Sequence, residues 1–88
     1  MKDSEIRTYK FPGGMNAESS GIVSELLIAL NQNVIKGQKL AVFISGDYIM
    51  EMEAERGGIV IEIFVTKNQT IYQNDDIWKI ENYTQHSV

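Results

Sequence analysis

Two stretches of this chain carry the same dense apolar pattern. Residues 22–28 (IVSELLI) and 59–65 (IVIEIFV) are dominated by β-branched and apolar side chains, a composition that favours strands. Asn31-Gln32 and Asn68-Gln69 interrupt the apolar runs and read as turns. Between Leu40 and Gly58 the chain reads LAVFISGDYIMEMEAERGG: a strand, a tight turn and a returning strand. Gly46 suits the first central position of a two-residue type II′ turn, with Asp47 second, at the tip. On the returning strand Glu51, Glu53 and Glu55 alternate with Met50, Met52 and Ala54, the pattern of one wet and one packed face. Gly57-Gly58 reads as a further turn. No segment of ten or more residues holds a clean helical period. Ser24–Leu30 can be drawn on a helix, but its counterpart Ile61–Lys67 is strongly β, and both are assigned to strands.

The two stretches belong to an internal repeat. Shifted by 37 residues, the chain matches itself without a gap, GIVSELLIALNQNVIKGQKLAVF from Gly21 against GIVIEIFVTKNQTIYQNDDIWKI from Gly58. Gly21/Gly58, Ile22/Ile59, Val23/Val60, Glu25/Glu62, Asn31/Asn68 and Gln32/Gln69 are identical pairs. Gly37 falls opposite Asn74, and these are the two residue types that most easily take a left-handed backbone, so the exchange keeps one turn geometry. Two copies are too few for a solenoid. They predict two similar β units packed face to face around one core, with approximate two-fold symmetry.

Composition narrows the functions. Eighty-eight residues make one small domain, and 43% hydrophobic residues suffice for a core. The net charge of −4 and only eight scattered Lys and Arg argue against a phosphate-binding surface and hence against nucleic acid. There is no cysteine, so no disulfide, thiol nucleophile or cysteine metal site. The apolar runs are too short to span a bilayer as a helix, and MKDSEIRTYK lacks the apolar centre of a signal peptide, so a cytoplasmic protein without a membrane partner is expected.

From about Val34 to Glu81 the chain resembles the biotin carboxyl carrier domain of biotin-dependent carboxylases, whose general plan the lipoyl domains share. V-x-x-G-x-x-L at Val34, Gly37 and Leu40 is similar to that family's approach to its tip hairpin. Met52-Glu53-Ala54-Glu55-Arg56-Gly57-Gly58-Ile59-Val60 is similar to its exit, and EIFVTKNQTIYQNDDIWKIE to its closing strands. Gly21–Leu30 fits the preceding strand, and Pro12–Gly14 the opening one. The resemblance implies an all-β fold, a flattened barrel-sandwich hybrid of two four-stranded antiparallel sheets with pseudo-two-fold symmetry. The domain is expected over residues 9–82, with 1–8 and 83–88 as flexible tails.

It also implies a function, the carrying of a tethered cofactor between active sites on a lysine at the hairpin tip. The family's Ala-Met-Lys-Met falls on Ser45-Gly46-Asp47-Tyr48, so the attachment position is Asp47. Attachment proceeds by attack of a lysine amine on an acyl-adenylate, and a carboxylate supplies no such nitrogen. Biotin or lipoyl is therefore expected only if the position were lysine, and no cofactor is expected here. Lys39, eight residues back, would lie roughly 26 Å away along a strand at ~3.3 Å per residue. Lys67 lies in a turn between Thr66 and Asn68, which do not resemble an acceptor motif.

Each remaining candidate has a plainer role. Asp47 could be a catalytic carboxylate, but turns favour Asp as a solvated residue. Tyr48 fits a partner contact and a strand-end cover equally well. The Glu51/Glu53/Glu55 row is a wet strand face sooner than a cation site, and no metal set is evident. Met50, Met52 and Trp78 read as packing residues, Gly37, Gly57, Gly58, Asn31 and Asn68 as structural turns, and the single histidine, His86, as part of a polar tail.

No catalytic constellation is present, so the chain is not expected to be an enzyme. The expected function is that of a non-modified biotinyl/lipoyl-like domain acting as a structural, assembly or regulatory protein-interaction module. Subunits of a carboxylase or acyltransferase complex are its expected partners. One alternative is a carrier protein modified at an unusual lysine. A second is the lipoyl-like module of membrane-fusion adaptors, which also lacks the lysine but splits its halves around a long helical insert.

Overall fold

The computed structural model describes residues 4–13 and 20–83. Eight strands follow one another: β1 (Ser4–Lys10), β2 (Ser20–Leu26), β3 (Asn33–Val34), β4 (Lys39–Ser45), β5 (Tyr48–Glu53), β6 (Gly58–Ile63), β7 (Thr70–Tyr72) and β8 (Asp76–Tyr83). They form two four-stranded antiparallel sheets, ordered β1-β8-β6-β3 and β5-β4-β2-β7. Exchanging β1 with β5, β2 with β6, β3 with β7 and β4 with β8 turns one order into the other. The fold is thus the all-β, two-sheet sandwich with the two-fold relation that the repeat predicts.

The relation holds residue by residue. β2 pairs with β4 through Ile22–Ile44 and Val23–Phe43 before a bulge shifts the register by one. β6 pairs with β8 through Ile59–Glu81 and Val60–Ile80, with the bulge at the same place. At the turns, Asn31 N–H donates to the Val60 carbonyl and Asn68 N–H to the Val23 carbonyl, both at 2.7 Å. The Gln32 side chain accepts from Ala29 N–H at 2.9 Å, as Gln69 does from Thr66 N–H at 3.0 Å. Asn31, Asn68 and Asn74 have φ of 67°, 73° and 72°, and Gly37, opposite Asn74 in the repeat, has 87°. Asn tolerates this left-handed backbone because its short side chain is easily accommodated there.

The core lies between the sheets. Phe43 of β4 stacks on Trp78 of β8 with centroids 6.3 Å apart and tilts against Phe11 at 5.2 Å, joining the two layers. Val23, Val34, Val60, Ile71, Ile77 and Ile80 close around them, each buried. Met50 and Met52 pack half-buried against this cluster, and Trp78 is fully enclosed, as their sequence context predicts.

Three expectations are corrected. The opening strand is Ser4–Lys10, not Pro12–Gly14: Pro12 and Gly13 are not in a strand, and Gly14 lies outside the described residues. Residues 4–8, expected in a flexible tail, instead pair with β8, and Tyr83 is the last described residue of that strand. Arg56–Glu5 (2.8 Å) and Arg7–Glu55 (3.6 Å) fasten β1 to the corner after β5. Gly57 and Gly58 are not the turn. The bend is at Glu55–Arg56, and Gly58 opens β6, where a Cβ would collide with the Glu81 carbonyl oxygen. His86 lies outside the described residues.

Candidate functional site

The hairpin tip is built by the ladder beneath it. β4 and β5 pair from Ser45–Tyr48 and Ile44–Ile49 down to Lys39–Glu53. The two residues between them, Gly46 and Asp47, make the turn. Gly46 has φ of 61° while Asp47 stays outside the left-handed region, the type II′ arrangement expected for Gly followed by Asp. Below the turn, Ser45 Oγ donates to the Ser20 carbonyl at 2.8 Å and ties β4 to the start of β2.

The structure places all four tip residues together. Gly46, Asp47 and Tyr48 are exposed and Ser45 is half-buried. Among the described residues Asp47 has no hydrogen-bond or ion-pair partner, so its carboxylate stands in solvent at the point farthest along the hairpin. Tyr48, 41% exposed, shares the strand face of Met50 and Met52 but sits at the end where that face leaves the core.

The described lysines lie elsewhere. Lys39 begins β4, at the foot of the hairpin, and its ammonium meets Glu51 at 3.0 Å. The Glu51 hydrogen bond and charge, with smaller contributions from Glu25 and Glu53, hold the Lys39 amine above its usual range and therefore protonated. Lys10 pairs with Asp76 at 2.6 Å and Lys79 with Glu62 at 2.9 Å. Lys67 occupies the exposed turn before β7, and Lys36 the turn before β4.

Around the tip the structure reveals residues that the sequence pattern does not single out. Ile49, Ile44 and Ile22 are direct cross-strand neighbours, and Thr70 continues the row on β7. Their side chains face outward: Ile49 is 63% exposed, Ile22 46%, and Ile44 is half-buried. A groove of about 400 Å³ runs beside the turn, lined by Ser20, Ile22, Ile44, Ser45, Gly46 and Thr70. The signal was present in the alternation of β5, because Ile49 shares the parity of Glu51 and Glu53, the wet face. No group of three or more His, Cys, Asp or Glu placed to hold a metal occurs among the described residues. No helix there is long and apolar enough to cross a membrane.

No protein-family model matches this sequence, and no curated protein does. Among solved structures, the chain is similar to part of a single-chain, multi-domain long-chain acyl-CoA carboxylase, with a TM-score of 0.77 and 15% identity. The likeness covers 91% of this chain and 7% of that one. At this identity it is a likeness of fold. This chain therefore spans a small fraction of the protein it matches.

Proposed function

We propose that this chain is an acceptor-less relative of the biotinyl and lipoyl carrier domains that acts through protein contacts, as an assembly or regulatory module in a cytoplasmic setting. One observation carries the reading: the position on which the resemblance lays the attachment lysine is Asp47, at the tip of an intact two-residue turn. The scaffold that would present a cofactor is kept, and the nitrogen that would bind it is not. Gly46 and Tyr48 replace the methionines that flank the family's lysine, so the departure extends across the tip. The fold likeness to a stretch of an acyl-CoA carboxylase supports partners in a carboxylase or similar multienzyme complex, where this chain would occupy a carrier's place without carrying.

The alternatives draw less support. Modification at Lys39 would require an amine that is ion-paired with Glu51 at the foot of the hairpin. Modification at Lys67 would use a turn unlike the tip. A membrane-fusion adaptor would carry an insert where β4 and β5 here meet through two residues. The test is the intact mass of the chain after co-expression with an active biotin or lipoate ligase. The unmodified mass is expected, and a cofactor-sized gain ends the reading.

A further inference from the structure

The two sheets are alike in backbone and unlike in chemistry on their outer faces. On the hairpin-bearing sheet the row Ile49–Ile44–Ile22–Thr70 crosses all four strands with no charge in it. The symmetric row on the other sheet is Ile6–Glu81–Ile59, broken at its centre by a carboxylate that accepts from Ser4 Oγ at 2.7 Å. Ile44 and Glu81 are equivalent positions in the repeat. An uninterrupted aliphatic row in water is unfavourable unless something covers it.

The charges bordering the two rows differ as well. The hairpin-bearing sheet and its tip hold Glu25, Asp47, Glu51 and Glu53 against a single cation, Lys39, which pairs with Glu51 at 3.0 Å and leaves the other three carboxylates in excess. Asp47 lies on the tip side of the row, and Glu51 and Glu25, both opposite Val42, lie on the other. The opposite sheet holds Glu5, Glu62, Asp76 and Glu81 against Arg7, Lys10 and Lys79, and several of these pair directly. A second copy laid on the isoleucine row would set carboxylates against carboxylates. A surface with cations around an aliphatic patch would meet attraction at the rim and burial at the centre.

We infer that the outer face of β5-β4-β2-β7 beside the tip is a docking surface for a protein partner presenting a Leu, Ile or Val side chain to the groove at Ile22 and Ile44, flanked by Lys or Arg. This deepens the module reading above and rests on it. Exposed Ile49 anchors the edge of the contact, while Asp47 on one side of the row and Glu25 on the other set its orientation. The tip carboxylate then has a role that a tethered cofactor would preclude.

The test uses the full chain, ¹⁵N-labelled, titrated with a synthetic peptide of alternating Lys and Leu and, separately, with one of alternating Glu and Leu. The Lys peptide should shift the amides of Ile22, Ile44, Ile49 and Thr70, and the Glu peptide should bind at least about tenfold more weakly. Ile49→Ser should weaken Lys-peptide binding about tenfold, the loss of one buried aliphatic anchor without a change of charge, and Ile6→Ser on the other sheet should not. No binding, equal shifts at Ile6 and Ile59, or equal effects of the two substitutions would overturn the proposal. So would a dimer in sedimentation that Ile49→Ser dissolves, which would assign the face to a second copy. The intact mass of the same sample reports separately on the module reading, so the two can fail independently.

Discussion

The backbone of Gly58 runs against the carbonyl oxygen of Glu81, with no room between them for a Cβ. An added methyl would also stand 2.9 Å from Ile80 Cγ2 and 3.0 Å from Asn82 Cα, so three consecutive residues of β8 would have to move. Gly58→Ala should therefore destabilise the fold by roughly 1–3 kcal/mol. Gly37→Ala, whose Cβ would meet nothing within 4 Å, should cost about 1 kcal/mol from its left-handed backbone alone. Gly37→Asn, the residue its counterpart Asn74 uses, should cost less still. Urea unfolding of the three variants checks the order.

Asn82 is buried at 1% exposure, and its Nδ2 donates to the Tyr9 hydroxyl at 2.8 Å. Tyr9→Phe removes the acceptor and leaves a buried amide donor unpaired, for a loss of roughly 1–3 kcal/mol. Thermal unfolding checks this. A loss near zero would mean that the Asn82 amide finds another acceptor once the hydroxyl is gone.

The paired turns make a symmetric prediction. Gln32→Ala and Gln69→Ala each delete one side-chain acceptor from a backbone N–H, at 2.9 and 3.0 Å. Each should cost about 0.5–1.5 kcal/mol, and the double variant should lose their sum within about 0.5 kcal/mol. Unequal single losses in denaturant titrations would show that the two turns are not energetically equivalent.

Glu5 ties the acid response to the first strand. The hydrogen bond from Arg56, aided by the charge of Arg7, holds its carboxyl below the ordinary value of 4.5. A depressed folded-state pKa gives stability that is present above pH 4.5 and is lost as pH falls through the lower, folded value. Glu5→Gln should flatten the stability profile over that acidic window and leave its shape near neutrality unchanged. Because the site is solvent-exposed, added salt should shrink the difference. Chemical denaturation across pH, at low and high salt, measures both.

Asp47→Lys should fold as well as the parent, because position 47 is exposed and outside the left-handed region. Co-expressed with a biotin ligase, it should remain mostly unmodified, since Gly46 and Tyr48 stand where the resemblance puts methionines and would flank the new amine. Near-complete modification in the mass spectrum would show that the missing lysine is the whole barrier.

Much of this architecture was legible because the repeat is. Asn31/Asn68, Gly37/Asn74 and the Gly21/Gly58 openings of the apolar runs carry the turns, the β class and the two-fold relation in the sequence itself. β1 was not legible, for two physical reasons. None of its residues is fully buried, so no apolar rhythm marks it as a strand, and its pairing with β8 spans nearly the whole chain. The self-match also begins only at Gly21, because the link from β1 to β2 is longer than the link from β5 to β6. Gly58 was read as a turn because sequence cannot separate a glycine needed for backbone freedom from one needed for close approach. At the tip, the turn was readable from Gly46 and Asp47. The outward row was readable only at Ile49, by its parity with Glu51 and Glu53; Ile22 and Ile44 adjoin buried Val23 and Phe43, and only cross-strand register brings the three together.

Ser4 and Tyr83 face each other across β1 and β8, at the end where Tyr83 N–H meets the Gly57 carbonyl and away from Asp47. Polypeptide joined at residue 4 and at residue 83 would leave through one common root. Fused to a larger body by either side, the barrel would stand like a peg with its acidic turn outermost, and lengthening the stalk would change its reach without disturbing the surface it offers.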